Sequence, residues 1–118
     1  MNKHTYTHID LSYLYEIADD DSDFVKEMIT DYIQKVPEHF SELLMASKEQ
    51  NFEQTHFIAH KIKSSFQFMG VTQLVDLASN IEQISETKDA QTIARNLATM
   101  EPVVDKVISE LRHQLSVL

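Results

Sequence analysis

One glycine and two prolines are all the strong chain-breakers that this sequence of 118 residues contains. Folds made of many short strands need frequent turns, and turns draw heavily on glycine and proline. A chain so poor in both points to long helices with few connections, and away from a sandwich or barrel. Hydrophobic residues make up 42% of it, enough for a globular core, which argues against disorder. The length suits one domain over residues 1–118 and leaves no room for a separate catalytic domain.

The same scarcity removes several chemistries. Gly70 alone cannot build a phosphate-cradling or dinucleotide-binding loop. Without cysteine there is no disulfide, no thiolate metal site and no cysteine nucleophile. A net charge of −9 disfavours nucleic acid and anionic membrane surfaces as partners. Met1-Asn2-Lys3-His4-Thr5 lacks the apolar stretch of a signal peptide, and no apolar run nears the roughly 20 residues that span a bilayer. The expectation is a soluble, cytoplasmic protein.

Apolar residues recur at helical spacing almost throughout. Leu11, Leu14, Tyr15 and Ala18 predict a short helix over 10–19. The acidic run Asp19–Asp23 then supplies caps and partners for a helix dipole; it lacks the glycine and distal glutamate of a calcium loop. A second helix over 22–49 carries Phe24, Val25, Met28, Ile29, Tyr32, Ile33, Val36, Phe40, Leu43 and Leu44. Pro37 should kink it, and two helices breaking there is the alternative. Asn51 and Gln54 stand in a capping-box relation before a third helix over 52–69, and Gly70 follows as a left-handed terminator. Thr72 is placed to cap a fourth helix over 73–86, with Leu74, Leu77, Ala78, Ile81 and Ile84 inward. Asp89 is placed to cap a fifth over 90–116, whose stripe runs from Ile93 and Leu97 through Met100, Val104, Val107, Ile108 and Leu111 to Leu115, with a bend at Pro102. Short joins between such helices predict antiparallel neighbours in an up-down bundle.

The third helix holds the chemistry. At 100° per residue, Ile58, Ala59, Ile62, Phe66 and Met69 point away from His60 and into the bundle. Glu53, His56, Lys63, Ser64 and Gln67 fall within roughly 60° of His60, so that histidine should stand on the solvent face among a cation, a hydroxyl and an amide. Phe57 and Phe68 lie at the edge of this face, where exposed aromatics suit partner docking and packing against neighbouring helices is the equal alternative; His56 and Lys61 border the same patch.

Imidazole, with an unperturbed pKa of about 6.5, is mostly neutral near pH 7 and offers a nucleophilic lone pair without an added base. Attack on phosphorus needs an in-line approach and neutralisation of spread negative charge. Lys63, one turn from His60, can supply a point charge, and Ser64 and Gln67 can hydrogen-bond a phosphoryl group or orient the ring. No carboxylate cluster for magnesium is evident near His60, so the partner would bring the metal.

At these residues a family resemblance enters. The stretch from Ala59 through His60, Ile62, Lys63 and Ser65 to Gly70 resembles the signature of histidine-containing phosphotransfer domains: a reactive histidine, then an apolar residue, a lysine, small residues and a glycine. Asn51-Phe52-Glu53, the helix from Leu74 through Glu82, and Leu11-Ser12-Tyr13-Leu14 with its acidic turn are similar to the flanking parts of that family, so the likeness runs over nearly the whole chain. Ser64 departs from a frequent glycine, and Phe66 and Gln67 are larger than usual. The resemblance implies an all-α fold, an antiparallel four-helix bundle with a short extra N-terminal helix. It implies phosphorylation of His60 on the ring nitrogen farther from the backbone, with Lys63 assisting. It also implies a monomeric phosphocarrier of a multistep phosphorelay rather than an enzyme. Its partners would be response-regulator receiver domains and a hybrid histidine kinase; it would hold no cofactor, with Mg2+ on the receiver.

Two other functions compete. A lone surface histidine is usually solvated and a lone Lys63 a solvated helix charge, which would leave an adaptor bundle. His56 and His60, at i and i+4, could share a zinc ion, but the pair faces outward and lacks the glutamate of the zinc-protease motif. His4, His8, His39 and His113 show no constellation.

Overall fold

The computed structural model describes residues 6–118; Met1–Thr5, and with them the reading of the first residues and of His4, lie outside the described residues. Five helices follow in order: α1 (Ser12–Ile17), α2 (Ser22–Lys48), α3 (Phe52–Phe68), α4 (Thr72–Thr87) and α5 (Ala90–Val117). No strand occurs among the described residues.

The acidic run divides its labour. Asp19 and Asp20 take left-handed backbone angles, which short polar side chains tolerate, and turn the chain. Asp21 caps α2, its carboxylate accepting from the N–H groups of Asp23 (3.0 Å) and Phe24 (3.3 Å). α2 continues through Pro37 as one helix, and α5 continues through Pro102. Both prolines lie on the exposed side, where water can take up the carbonyls of Ile33 and Ala98 that lose their helical donors.

Both ends of α3 are closed by matching devices. α2 stops in a Schellman turn, with Asn51 N–H on the Ala46 carbonyl and Gln50 N–H on that of Ser47. Asn51 then caps α3 by accepting from Gln54 N–H at 3.1 Å. The reciprocal half of the capping box does not form, because the Asn51 N–H is already taken by Ala46. α3 stops in a second Schellman turn, with Val71 N–H on the Phe66 carbonyl and Gly70 N–H on that of Gln67. Thr72 is the first residue of α4 and not its cap; Val71 occupies that position without a side-chain bond. Asp89 caps α5 through Thr92 N–H at 3.1 Å.

The four other described residues with positive φ, namely Asp19, Asp20, Gln50 and Lys88, all carry side chains. Positive φ alone therefore does not explain why the one glycine stands at position 70. Contact does: a Cβ there would lie 2.2 Å from the Asp10 carbonyl oxygen, because the segment before α1 crosses the turn closely and Asp10 N–H donates to the Met69 carbonyl at 2.9 Å.

α3 packs on α2 and α4, and α5 on α2 and α4, so the four long helices surround one core. The molecule measures 46 × 22 × 20 Å, a cross-section of two helix diameters each way. Ile29, Leu43, Ile58, Ile62, Phe66, Leu74, Ile81, Ile93, Met100 and Leu111 are fully buried there. Leu77, Ile84, Ile108 and Leu115 only flank the core, while Thr55, Ser85 and Gln114, absent from the apolar stripes, are buried. Thr55 and Ser85 satisfy their hydroxyls on the carbonyls one turn back, and Gln114 donates to Tyr15 Oη at 3.0 Å.

Residues 6–11 form a strap across one end of the bundle. Glu110 of α5 accepts from the N–H groups of His8 (3.1 Å) and Ile9 (3.0 Å) and binds the His8 ring through Nδ1 at 2.7 Å. Tyr6 Oη donates to Gln114 at 2.9 Å and meets His113 Nδ1 at 2.8 Å. His8 and His113 thus belong to a polar cluster that spacing along the sequence did not reveal.

A histidine and a lysine on one buried-edge glutamate

α3 presents the face that its spacing predicts. Ile58, Ala59, Ile62, Phe66 and Met69 are buried, and His60 has 69% of its side chain open to solvent. α3 and α4 fold back on each other about the turn at Gly70 and Val71, so residues equally far from Val71 stand level. This brings Glu82 of α4 to His60. Ile81 anchors the α4 face in the core, and Glu82, one position on, emerges along the α3–α4 seam with 14% of its side chain exposed.

Glu82 is the hub of the site. Its Oε1 meets His60 Nδ1 at 2.8 Å, and its Oε2 accepts from Lys63 Nζ at 3.1 Å. Its main-chain carbonyl meets His56 Nδ1 at 3.0 Å. An ionised carboxylate and a carbonyl can only accept, so both rings carry their proton on Nδ1 when neutral. The consequence for His60 is that Nε2, the nitrogen farther from the backbone, holds the free lone pair. Lys63, only 21% exposed, is drawn to the same carboxylate.

Ser64 and Gln67 are exposed on the His60 face and, among the described residues, form no side-chain hydrogen bond. Phe57 is 59% exposed, with the Lys61 ammonium 5.8 Å from its ring centroid. Phe68 packs against a neighbouring helix: it is half-buried and stacks on Tyr13 of α1, centroids 5.7 Å apart. The face is therefore extended by Tyr13 and by Glu82, neither of which was singled out from the sequence. Glu82 was within reach of such reasoning. Counting outward from Val71, in the turn between the two helices, pairs positions 60 and 82, an arithmetic that a wheel drawn for one helix omits.

His56 and His60 engage different oxygens of Glu82, and among the described residues no group of three or more histidines and carboxylates is arranged to hold a metal ion. No helix of the described residues is long and apolar enough to cross a membrane.

A family model for the Hpt domain matches residues 27–117, most of the chain. The chain belongs to the Hpt domain family. The match takes in all of α3 and α4, and so every member of the Glu82 cluster, but begins inside α2 and leaves α1 and the strap outside it. Hpt domains are phosphocarrier modules rather than kinases, and membership implies histidine phosphotransfer in phosphorelay signalling with receiver domains as partners. Neither the search of curated proteins nor that of solved structures returned a match.

Proposed function

We propose that this Hpt domain is a phosphocarrier that accepts a phosphoryl group on His60 Nε2 from the aspartyl phosphate of one receiver domain and passes it to another. The observation that carries this reading is the pairing of an exposed imidazole with a sheltered carboxylate on its other nitrogen. The step balances as follows. The Nε2 lone pair attacks phosphorus in line, the N–P bond forms, and the acyl P–O bond breaks with its electron pair on the departing aspartate. The ring becomes cationic with its proton still on Nδ1, and the Glu82 carboxylate offsets that charge while fixing the ring's orientation. Return transfer runs the same step backwards.

Lys63 shares Glu82 with His60 and is placed to turn its ammonium toward the phosphoryl oxygens. Ser64 and Gln67, open on the same face, are donors for those oxygens. Mg2+ belongs to the receiver in this scheme, and the chain itself holds no cofactor. Phe57, Lys61 and the partly covered Phe68 form the docking patch, with His56 at its border. The bundle is read as four antiparallel helices with α1 added at one end, acting as a cytoplasmic monomer whose phosphoryl donor is the receiver of a hybrid histidine kinase or a separate response regulator.

The test is intact mass after mixing the protein with a phosphorylated receiver domain and magnesium, keeping the sample from acid. Wild type should gain one phosphoryl group that acid removes, and His60→Gln should gain none. No adduct from a panel of active receivers would leave an adaptor bundle as the better account.

A further inference from the structure

We propose that His56 is a positioning residue for His60, acting through the main chain of Glu82. The inference rests on the reading of His60 as the phosphoryl acceptor but concerns a different residue and a different bond.

His56, His60 and Lys63 occupy positions i, i+4 and i+7 of α3 and make one stripe. All three hold the same residue of α4. They hold different parts of it. A glutamate side chain has three torsions, so a carboxylate stays beside an imidazole only if both its oxygens and its backbone are fixed. Lys63 holds the second oxygen at 3.1 Å, and His56 holds the backbone at 3.0 Å. The carbonyl of Glu82 lies within α4 and has two lone pairs, one for the helical N–H and one for the His56 ring. The contact therefore sets the register of α4 against α3 without breaking the helix.

The residue type agrees with this role. His56 sits half-buried on a helix–helix seam, where an apolar side chain would serve cohesion alone and would avoid burying a polar ring. Its short side chain ends in a directional N–H that reaches a carbonyl on the neighbouring helix. A loosened Glu82 would release the Nδ1 proton of His60, and the ring would exchange tautomers as free histidine does, placing hydrogen on the attacking nitrogen part of the time.

The experiment uses the whole chain with 15N-labelled histidine, as wild type, His56→Leu and His56→Asn. Long-range 1H–15N correlation spectra report the tautomer of each ring, and uptake from a phosphorylated receiver reports transfer. In wild type both His56 and His60 should be Nδ1–H. His56→Leu should move His60 toward a mixed tautomer and slow uptake by about tenfold, the order expected when a reacting group loses its positioning. His56→Asn, whose amide N–H reaches the same carbonyl, should restore both. A His56→Leu protein with lowered melting temperature but an unchanged His60 tautomer and rate would overturn the proposal and leave His56 as a packing residue. Should the leucine variant not fold, an Nε2–H tautomer at His56 in wild type would overturn it as well. Failure of wild type to take up any phosphoryl group would sink the phosphocarrier reading instead, while the tautomer spectra would still judge His56.

Discussion

Among the described residues, two histidine–glutamate pairs have nearly equal geometry and opposite exposure. His60 Nδ1 lies 2.8 Å from Glu82, and His8 Nδ1 lies 2.7 Å from Glu110. Both carboxylates are sheltered, at 14% and 17% exposed, but the His60 side chain is 69% open and that of His8 only 19%. Glu110 also takes two backbone N–H groups, so its pair fastens the strap to α5. Glu82 takes a lysine instead, and leaves one ring nitrogen facing the surroundings. A histidine held by a carboxylate is thus no signature of chemistry by itself. What separates the two is whether the second ring nitrogen can be reached.

The largest contrast should come from neutralising each glutamate. Glu82→Gln should slow phosphoryl uptake by about 100-fold, or about 2.7 kcal/mol at the transition state, because an amide neither offsets ring charge nor fixes the tautomer. Glu110→Gln should leave uptake unchanged. Equal loss of rate in both variants, measured against one phosphorylated receiver, would erase the distinction drawn between the pairs.

The next effect concerns the turn between α3 and α4, which the strap crosses. Gly70→Ala meets both positive φ and the Asp10 carbonyl, and should destabilise the fold by about 2 kcal/mol or more. Gln50→Gly, at the matching turn before α3 with positive φ and an exposed side chain, should stabilise it by up to about 1 kcal/mol. Denaturant unfolding of the two variants checks the signs, and a harmless Gly70→Ala would mean that the strap does not press on that turn.

The smallest effect is a pH dependence. Burial pushes the Glu110 carboxyl up, but hydrogen bonds from the His8 ring and from the Ile9 and His8 N–H groups outweigh it and hold the carboxyl below its ordinary 4.5. A carboxylate with a lowered folded-state pKa contributes stability above its unfolded-state pKa and loses it as pH falls through the folded one. Glu110→Gln should therefore cost about 1 kcal/mol at neutral pH, and the gap to wild type should close as pH drops below 4.5. A gap that persists in acid would assign the loss to packing.

Reading along the chain located much of this and missed the rest for one reason. Helix limits came within about two residues because caps such as Asp21, Asn51 and Asp89 act on neighbours two or three positions away. The faces of α3 were legible because one helix fixes the direction of every residue on it. Glu82 and Glu110 act across 22 and 102 residues, on partners that a single wheel does not display. Phe68 was placed on the right side of α3, but its cover by Tyr13 depends on where α1 comes to rest. The need for Gly70 was read from helix termination, whereas the closer constraint is the backbone of Asp10, sixty positions earlier.

The openness of the His60 ring has a bearing on time. A ring this open to solvent has no lid over it among the described residues, so on the proposed reading water has access to the phosphoryl group throughout its stay. Its survival becomes a race between hydrolysis and the arrival of the next receiver, and the winner is set by how many receivers are near. A carrier built this way keeps no memory of its own; the duration of the signal belongs to the company it keeps.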